Sequence, residues 1–297
     1  MTIPDSAGRV SRAACDNDAG LCKDGDKPFD NPALPSSARL PINRCNLPAI
    51  ILGGVTFQNQ PSPIYLDGIA ELHRKLFERL DRIDVVGQRA QIFRDYLTVT
   101  FRLDDLEDAG LTEKSKKRAN ANWQRMVRGW SFNSDSREGA VLKGWVESRF
   151  GLLPRFHGEP LRDYSEPGYR RYLEMRSAGL YGTNALESQL DLLFAYGQYE
   201  YRRQGILAPL RLYRGINRIG EHEILAKRGR HRYVLLNNLS SFTRTRDRAT
   251  EFGDYILEAE IPVQKIFFHS ELLPGVLKGE DECLVIGGVY EVQIRSD

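Results

Sequence analysis

The chain has 297 residues, a formal net charge of +2, and contains 41% apolar and 28% charged residues. This composition is typical of a globular protein with room for one large domain or two closely packed ones. The small net charge gives no reason to expect a nucleic acid or a membrane surface as partner. No apolar run approaches the roughly 20 residues that a membrane helix needs.

The N-terminal segment, residues 1–63, is rich in proline, glycine, aspartate and serine. We expect its first thirty residues to lack a fixed structure. The apolar run 47–55 is expected to pack against the core as an extended segment. No basic stretch followed by an apolar core opens the chain, so we expect no secretory signal and a cytoplasmic protein.

Residues 64–204 show apolar residues at helical spacing in several successive segments. The stripes are Ile69 to Ile83, Phe93 to Phe101, Trp123 with Met126, Val127 and Trp130, and Val141 to Val146. These stripes are typical of a helical core. Asn184 and Glu187 have the spacing of a capping box, which predicts a further helix from that point.

From residue 205 the apolar period shortens to two, which predicts a β-rich region to residue 297. The predicted strands are 210–214, 232–237, 240–243, 255–261, 264–268, 282–286 and 289–295, with a short helix over 247–252. Helices followed by strands indicate an α+β fold. No GxGxxG follows a strand, so a Rossmann nucleotide site is not expected.

Two glutamates, Glu280 and Glu282, stand one residue apart at the start of an apolar run. In a strand their side chains share one face, while Asp281 and Cys283 point to the other. Paired carboxylates can steady a developing cation and take a proton from a nucleophile. We expect Cys283 to be a core residue, and the cysteines and histidines show no metal-ligand spacing, so no metal is predicted.

Two further motifs precede the glutamates in a fixed order: Leu212 to Gly215, which contains Arg214, and the run Ser240, Ser241, Phe242, Thr243. Ala249 and the pair Phe252–Gly253 follow the serines. The order arginine, serine, glutamate-x-glutamate resembles the R-S-E class of arginine-specific mono-ADP-ribosyltransferases over roughly residues 209–295. Together with the helical first half, the layout is similar to the family that ADP-ribosylates dinitrogenase reductase in nitrogen-fixing bacteria.

The resemblance implies a helical region followed by a mixed or antiparallel β-sandwich that binds NAD⁺ as co-substrate. Arg214 and Gly215 would hold the NAD⁺ phosphates and the nicotinamide. Ser241 would orient the catalytic Glu282, with Ser240 as the alternative if the register shifts by one residue. The run Ser241, Phe242, Thr243 is assigned to NAD⁺ binding, although Phe242 departs from the family's usual Ser-Thr-Ser.

Glu280 would take a proton from the acceptor guanidinium, and Glu-x-Glu therefore indicates arginine as the acceptor. The turn before it, residues 272–279, would recognise that acceptor, with Val276 and Leu277 available to dock on a protein. The resemblance implies dinitrogenase reductase as substrate, control by a nitrogen-signalling PII protein, and docking or regulation by the helical region. Alternatives left open are an NAD⁺ glycohydrolase, a transferase for another protein, and a non-catalytic binding module.

Overall fold

The computed structural model describes residues 31–103, 121–276 and 281–296. The expectation for the first thirty residues lies outside these ranges. The helices are α1 (Ala49–Leu52), α2 (Val55–Asn59), α3 (Ile69–Leu72), α4 (Arg74–Leu80), α5 (Val86–Phe101), α6 (Trp123–Phe132), α7 (Arg137–Phe150), α8 (Pro167–Gly179), α9 (Ala185–Arg203) and α10 (Arg246–Thr250). The strands are β1 (Leu210–Ile216), β2 (Glu223–Arg228), β3 (His231–Thr243), β4 (Tyr255–Ile261), β5 (Ile266–His269) and β6 (Glu282–Ser296).

The prediction of an extended segment over 47–55 is wrong, because these residues form α1 and the start of α2. Pro48 precedes α1, and its fixed φ of −60° suits the start of a helix. The two short helices bury Leu52, Val55 and Phe57 in the main core, which is the apolar core between the helices and one face of the strands. A short apolar run has the same composition in a helix as in a strand, so its hydrophobicity could not separate the two.

Helix α9 is confirmed, but the predicted capping box is not formed. Asn184 already adopts near-helical angles, with φ −81° and ψ −8°, and its side chain accepts no capping hydrogen bond. Thr183 instead accepts a hydrogen bond from the Ala185 backbone N–H at 3.1 Å. The polar residue one position earlier therefore satisfies one of the free amides at the start of the helix.

The six described strands pair in the order β2-β3-β1-β4-β6-β5, and β3 also pairs with β6. Each of these pairings is antiparallel. The predicted α+β order, with helices first and antiparallel strands last, is confirmed. One apolar core lies between the helices and one face of the strands, and a second core lies on the other face.

Strands β3 and β6 were each predicted as two separate strands, but each is a single long strand with a bend. The register of β3 against β6 shifts between Leu236 and Leu239, opposite Gly287 and Gly288. A Cβ on Gly287 would lie 1.8 Å from the Asn237 carbonyl oxygen, so only glycine fits there. The Asn-Asn and Gly-Gly pairs therefore mark a β-bulge and not two turns.

The bend in β3 is attached to the helical half. The Asn238 side chain donates to the carbonyls of Lys143 at 2.8 Å and Leu152 at 3.0 Å. Asn238 is 1% exposed, and burying an amide without such partners would cost free energy. This contact fixes the end of β3 that leads to the serines. None of the helices in the described part of the chain is long and apolar enough to cross a membrane.

Candidate active site

The side chain of Glu282 lies at the start of β6, where that strand runs beside the end of β3. Thr243 faces Glu282 across the pair, and Ser241 faces Leu284. Side chains of alternate residues share a face, so Ser241 and Glu282 lie on the same side. The Ser241 hydroxyl donates to Oε1 of Glu282 at 2.6 Å.

The neighbouring residues of β3 face the opposite side of the sheet. Ser240 is 4% exposed, and Phe242 packs in the second core with Cys283. Ser241, and not Ser240, therefore reaches the glutamate. Phe242 borders the site cavity with only 2% of its surface exposed, and its contact with NAD⁺ stays a prediction.

Helix α6 contributes two donors that the sequence analysis missed. The Trp130 indole Nε1–H donates to Ser241 Oγ at 2.8 Å. The Ser131 hydroxyl donates to Oε2 of Glu282 at 2.5 Å. Trp130 is a core residue, as its helical stripe predicted, and the one available signal was that a buried indole N–H needs an acceptor.

Arg214, on β1, lies beside the same serine. Its Nη1 donates to the Ser241 backbone carbonyl at 2.8 Å, and the side chain is half-buried. Burial lowers the pKa of Arg214, whereas the Glu282 and Asp135 carboxylates raise it. A guanidinium does not lose its proton in proteins, so the group stays charged despite this burial. A planar cation with several donors can bind phosphate or ribose oxygens.

These residues border a cavity of about 430 Å³, within the usual size range for small-molecule sites. A second cavity of about 330 Å³ adjoins it and shares Trp130, Ser134, Arg214 and Ser241 as walls. A larger cavity of about 550 Å³ lies between Tyr65, α4 and α9, but no motif residue borders it. We assign the site to the cavity of about 430 Å³ because the oriented carboxylate and the arginine meet there.

Gly215 is glycine because α10 packs directly against β1. A Cβ at this position would lie 2.1 Å from the Ala249 carbonyl oxygen and 3.0 Å from the Gly253 nitrogen. Ala249 is fully buried, whereas Phe252 is 61% exposed at the cavity. Ala249 and Phe252 therefore form part of one wall of the cavity, while Gly253 packs against Ile216 of β1. A direct contact of Gly215 with nicotinamide stays a prediction.

Thr243 takes part in a small network around Asp281. Its hydroxyl donates to Asp281 Oδ2 at 3.2 Å, and the Arg244 backbone N–H donates to the same oxygen at 3.0 Å. Thr245 adds a third donor at 3.1 Å. Asp281, the residue before Glu282, thus ties the end of β3 to the start of β6, a role that the sequence analysis did not foresee. The assignment of Thr243 to NAD⁺ binding stays a prediction.

The structure tests several expectations for the residues near the glutamate pair. Glu280 and Leu277 lie outside the described residues. Val276 was expected to be available for docking, which is wrong, because it is 4% exposed and belongs to the main core. Cys283 is confirmed as a core residue, and burial raises the pKa of its thiol to about 12. Within the described ranges, no group of three or more histidine, cysteine or acidic residues could hold a metal ion.

An antiparallel α+β fold with arginine, serine and glutamate side chains in one cavity is the arrangement that the resemblance to R-S-E ADP-ribosyltransferases implies. Residues 42–294 match the family model described as dinitrogenase reductase ADP-ribosyltransferase (DRAT). The chain is also 36% identical over 272 residues to the NAD(+)–dinitrogen-reductase ADP-D-ribosyltransferase of Rhodospirillum rubrum, covering 89% of this chain and 96% of that protein. The chain therefore belongs to the DRAT family. No solved structure matches it significantly.

Proposed function

We propose that this protein transfers ADP-ribose from NAD⁺ to an arginine of dinitrogenase reductase. Membership of the DRAT family and the activity for which the Rhodospirillum rubrum relative is named support this proposal. The observation that carries it is the Glu282 carboxylate, held by one serine at each oxygen beside the Arg214 guanidinium. A carboxylate fixed in this way can stabilise a positively charged ribose without moving during the reaction.

Cleavage of NAD⁺ at the nicotinamide–ribose bond gives an oxocarbenium-like transition state, comparable with that of glycoside hydrolysis. The bond electrons leave with nicotinamide, which becomes neutral. In the proposed mechanism, Arg214 binds the phosphates, and the Gly215 backbone holds the nicotinamide amide. Glu282 accepts a hydrogen bond from the ribose 2′-hydroxyl and faces the developing cation. Ser241 keeps the carboxylate in that orientation.

The acceptor step needs a base, because a guanidinium is a poor nucleophile while it keeps its proton. We assign this role to Glu280, two residues before Glu282 on the same predicted strand face. As the guanidinium nitrogen bonds to the ribose C1′, its proton passes to the Glu280 carboxylate. The preceding turn, 272–279, is proposed to recognise the acceptor. This role of Glu280 is a proposal from sequence and chemistry.

The physiological consequence follows from the size and charge of the product. A bulky, doubly negative ADP-ribose on the surface of dinitrogenase reductase would obstruct its docking with an electron-transfer partner. Modification would therefore switch nitrogen fixation off. The helical region 64–204 is proposed to take part in substrate docking and regulation as well as in the site. Control by a PII protein is part of this proposal and rests on the resemblance alone.

The test is transfer of radiolabelled ADP-ribose from NAD⁺ to purified dinitrogenase reductase by wild type, Glu280→Gln and Glu282→Gln. We expect label on an arginine with wild type and almost none with either variant. Basal NAD⁺ hydrolysis should survive in Glu280→Gln and be lost in Glu282→Gln, because only Glu282 serves the cleavage step. Wild type that binds NAD⁺ but labels no protein, while hydrolysing NAD⁺ freely, would refute the transferase proposal in favour of a glycohydrolase.

A further inference from the structure

The two helical donors at the site are consecutive residues near the end of α6. Trp130 is 3% exposed, and its ring packs in the main core, so the position of its N–H is fixed by packing. Ser131 follows it and reaches the second oxygen of the same carboxylate. Adjacent residues of a helix point about 100° apart, which lets one turn of α6 contact Ser241 and Glu282 at once.

The direction of each proton in this network follows from the chemistry of the groups. An indole N–H can only donate, so Ser241 Oγ accepts from Trp130 and must send its own proton elsewhere. The proton goes to Glu282 Oε1 at 2.6 Å. Trp130 thereby occupies one of the two lone pairs of Ser241 Oγ and favours the orientation in which the hydroxyl proton points at the carboxylate.

Ser131 has two acceptors within reach. Its hydroxyl lies 3.3 Å from the Val127 carbonyl and 2.5 Å from Glu282 Oε2. A bond to a charged carboxylate is shorter and stronger than one to a neutral carbonyl, so the carboxylate takes the proton. Each carboxylate oxygen can accept more than one hydrogen bond, and Glu282 keeps capacity for a ribose hydroxyl.

We propose that Ser131 is a second positioning hydroxyl for the catalytic carboxylate and that Trp130 sets the donor direction of the first. This inference rests on the proposed function, because it assumes that Glu282 serves NAD⁺ cleavage. Ser241 alone would leave Glu282 free to rotate about its terminal bond. With one donor at each oxygen, both the position and the plane of the carboxylate are fixed. The helical half is then part of the catalytic centre.

The test compares steady-state NAD⁺ cleavage by wild type, Ser131→Ala, Ser131→Thr and Trp130→Phe. Loss of orientation should lower kcat about 10- to 100-fold in Ser131→Ala, with the KM for NAD⁺ changed by less than about threefold. Ser131→Thr keeps a hydroxyl and should recover most of the activity. Trp130→Phe keeps the ring but removes the donor, and should lower kcat about tenfold.

Matched controls separate positioning from packing. Trp123→Phe makes the same substitution at another buried tryptophan of α6, and Ser188→Ala removes an exposed hydroxyl of α9. Both variants should keep the wild-type kcat. If Ser131→Ala matches wild type, or if Ser131→Thr is as impaired as the alanine variant, the inference is wrong. Because the comparison uses NAD⁺ cleavage, it can be made even if dinitrogenase reductase is not the acceptor.

A readout independent of activity covers the case in which wild type does not cleave NAD⁺. In protein labelled with ¹⁵N-tryptophan, Trp130→Phe identifies the Trp130 indole signal. Ser241→Ala removes its acceptor and should shift that signal, whereas Ser188→Ala should not. A Trp130 indole signal that does not shift in Ser241→Ala would show that the network is not formed and would overturn the inference.

Discussion

The strand-rich and helical halves meet at one carboxylate, but they supply different kinds of group to it. The strands carry the charged and reactive residues: Arg214 on β1, Ser241 on β3 and Glu282 on β6. Helix α6 supplies neutral donors, the Trp130 indole and the Ser131 hydroxyl. Part of the orientation of Glu282 therefore comes from a distant part of the chain, since Trp130 and Ser131 lie 111 and 151 positions from the residues they contact.

Elsewhere in the helical half, Asp191 is a buried carboxylate away from the proposed site. Asp191 accepts a two-pronged ion pair from Arg149 at 2.7 and 2.9 Å, and the Trp145 indole N–H at 2.7 Å. These residues do not border either cavity of the site. An indole N–H thus reaches the Asp191 carboxylate directly, whereas the Trp130 indole reaches the Glu282 carboxylate only through the Ser241 hydroxyl.

The largest loss of activity is expected from Glu282→Gln on the strand side. Glutamine has nearly the same shape but no charge to stabilise the ribose cation. We expect kcat for NAD⁺ cleavage to fall about a thousandfold or more, with the fold unchanged by circular dichroism. Turnover within tenfold of wild type would contradict the assignment of Glu282 as the catalytic carboxylate.

A smaller loss, mainly in binding, is expected from Arg214→Lys. Lysine keeps the charge but lacks the planar fork that can hold the Ser241 carbonyl and a phosphate together. We expect kcat/KM for NAD⁺ to fall about a hundredfold, most of it through KM. Titration of NAD⁺ by calorimetry checks the binding part, and unchanged affinity would show that Arg214 has no phosphate role.

A smaller effect, confined to the acceptor step, is expected from substitution of Arg128 on α6. Its Nε donates to the Val276 carbonyl at 3.1 Å, which ties α6 to the middle of the proposed acceptor turn. In Arg128→Met we expect transfer to the acceptor to fall about tenfold, while NAD⁺ hydrolysis stays close to wild type. The ratio of labelled protein to released nicotinamide measures this. Equal loss of both activities would mean that Arg128 supports the fold and not the turn.

The smallest effect on kinetics, with a large effect on stability, is expected from Asp191→Asn. The Arg149 guanidinium would stay buried beside a neutral partner, which typically costs about 3–5 kcal/mol of unfolding free energy. Urea denaturation should show this loss, whereas kcat and KM of the folded protein should match wild type. A kcat that differs from wild type in fully folded protein would contradict a purely structural role for Asp191.

Sequence periodicity predicted most of the strand-rich half because residues alternate there between two cores. The predicted strand 255–261 coincides with β4, and the order of arginine, serine and glutamate gave the centre of the site. β2 was missed because its residues are half-buried or exposed along its whole length and show no alternation.

The orienting residues could not be predicted in the same way. Trp130 lies in an apolar stripe that is explained fully by core packing, and a helical serine carries no periodic signal. Their contacts join residues 111 and 151 positions apart in the chain. Only the packing of α6 against the ends of β3 and β6 brings them together. Asp281 was missed for a related reason, since its partners lie at the end of β3 and in the two residues after it.

NAD⁺ is proposed to bind where the strands and α6 meet. This proposal is tested most directly by a crystal structure of the wild-type protein with an NAD⁺ analogue whose nicotinamide–ribose bond cannot break. We expect phosphates at Arg214, the ribose 2′-hydroxyl at Glu282, and both serine contacts to the carboxylate retained. Binding of the analogue in the larger cavity between Tyr65, α4 and α9, away from Glu282, would contradict the proposal.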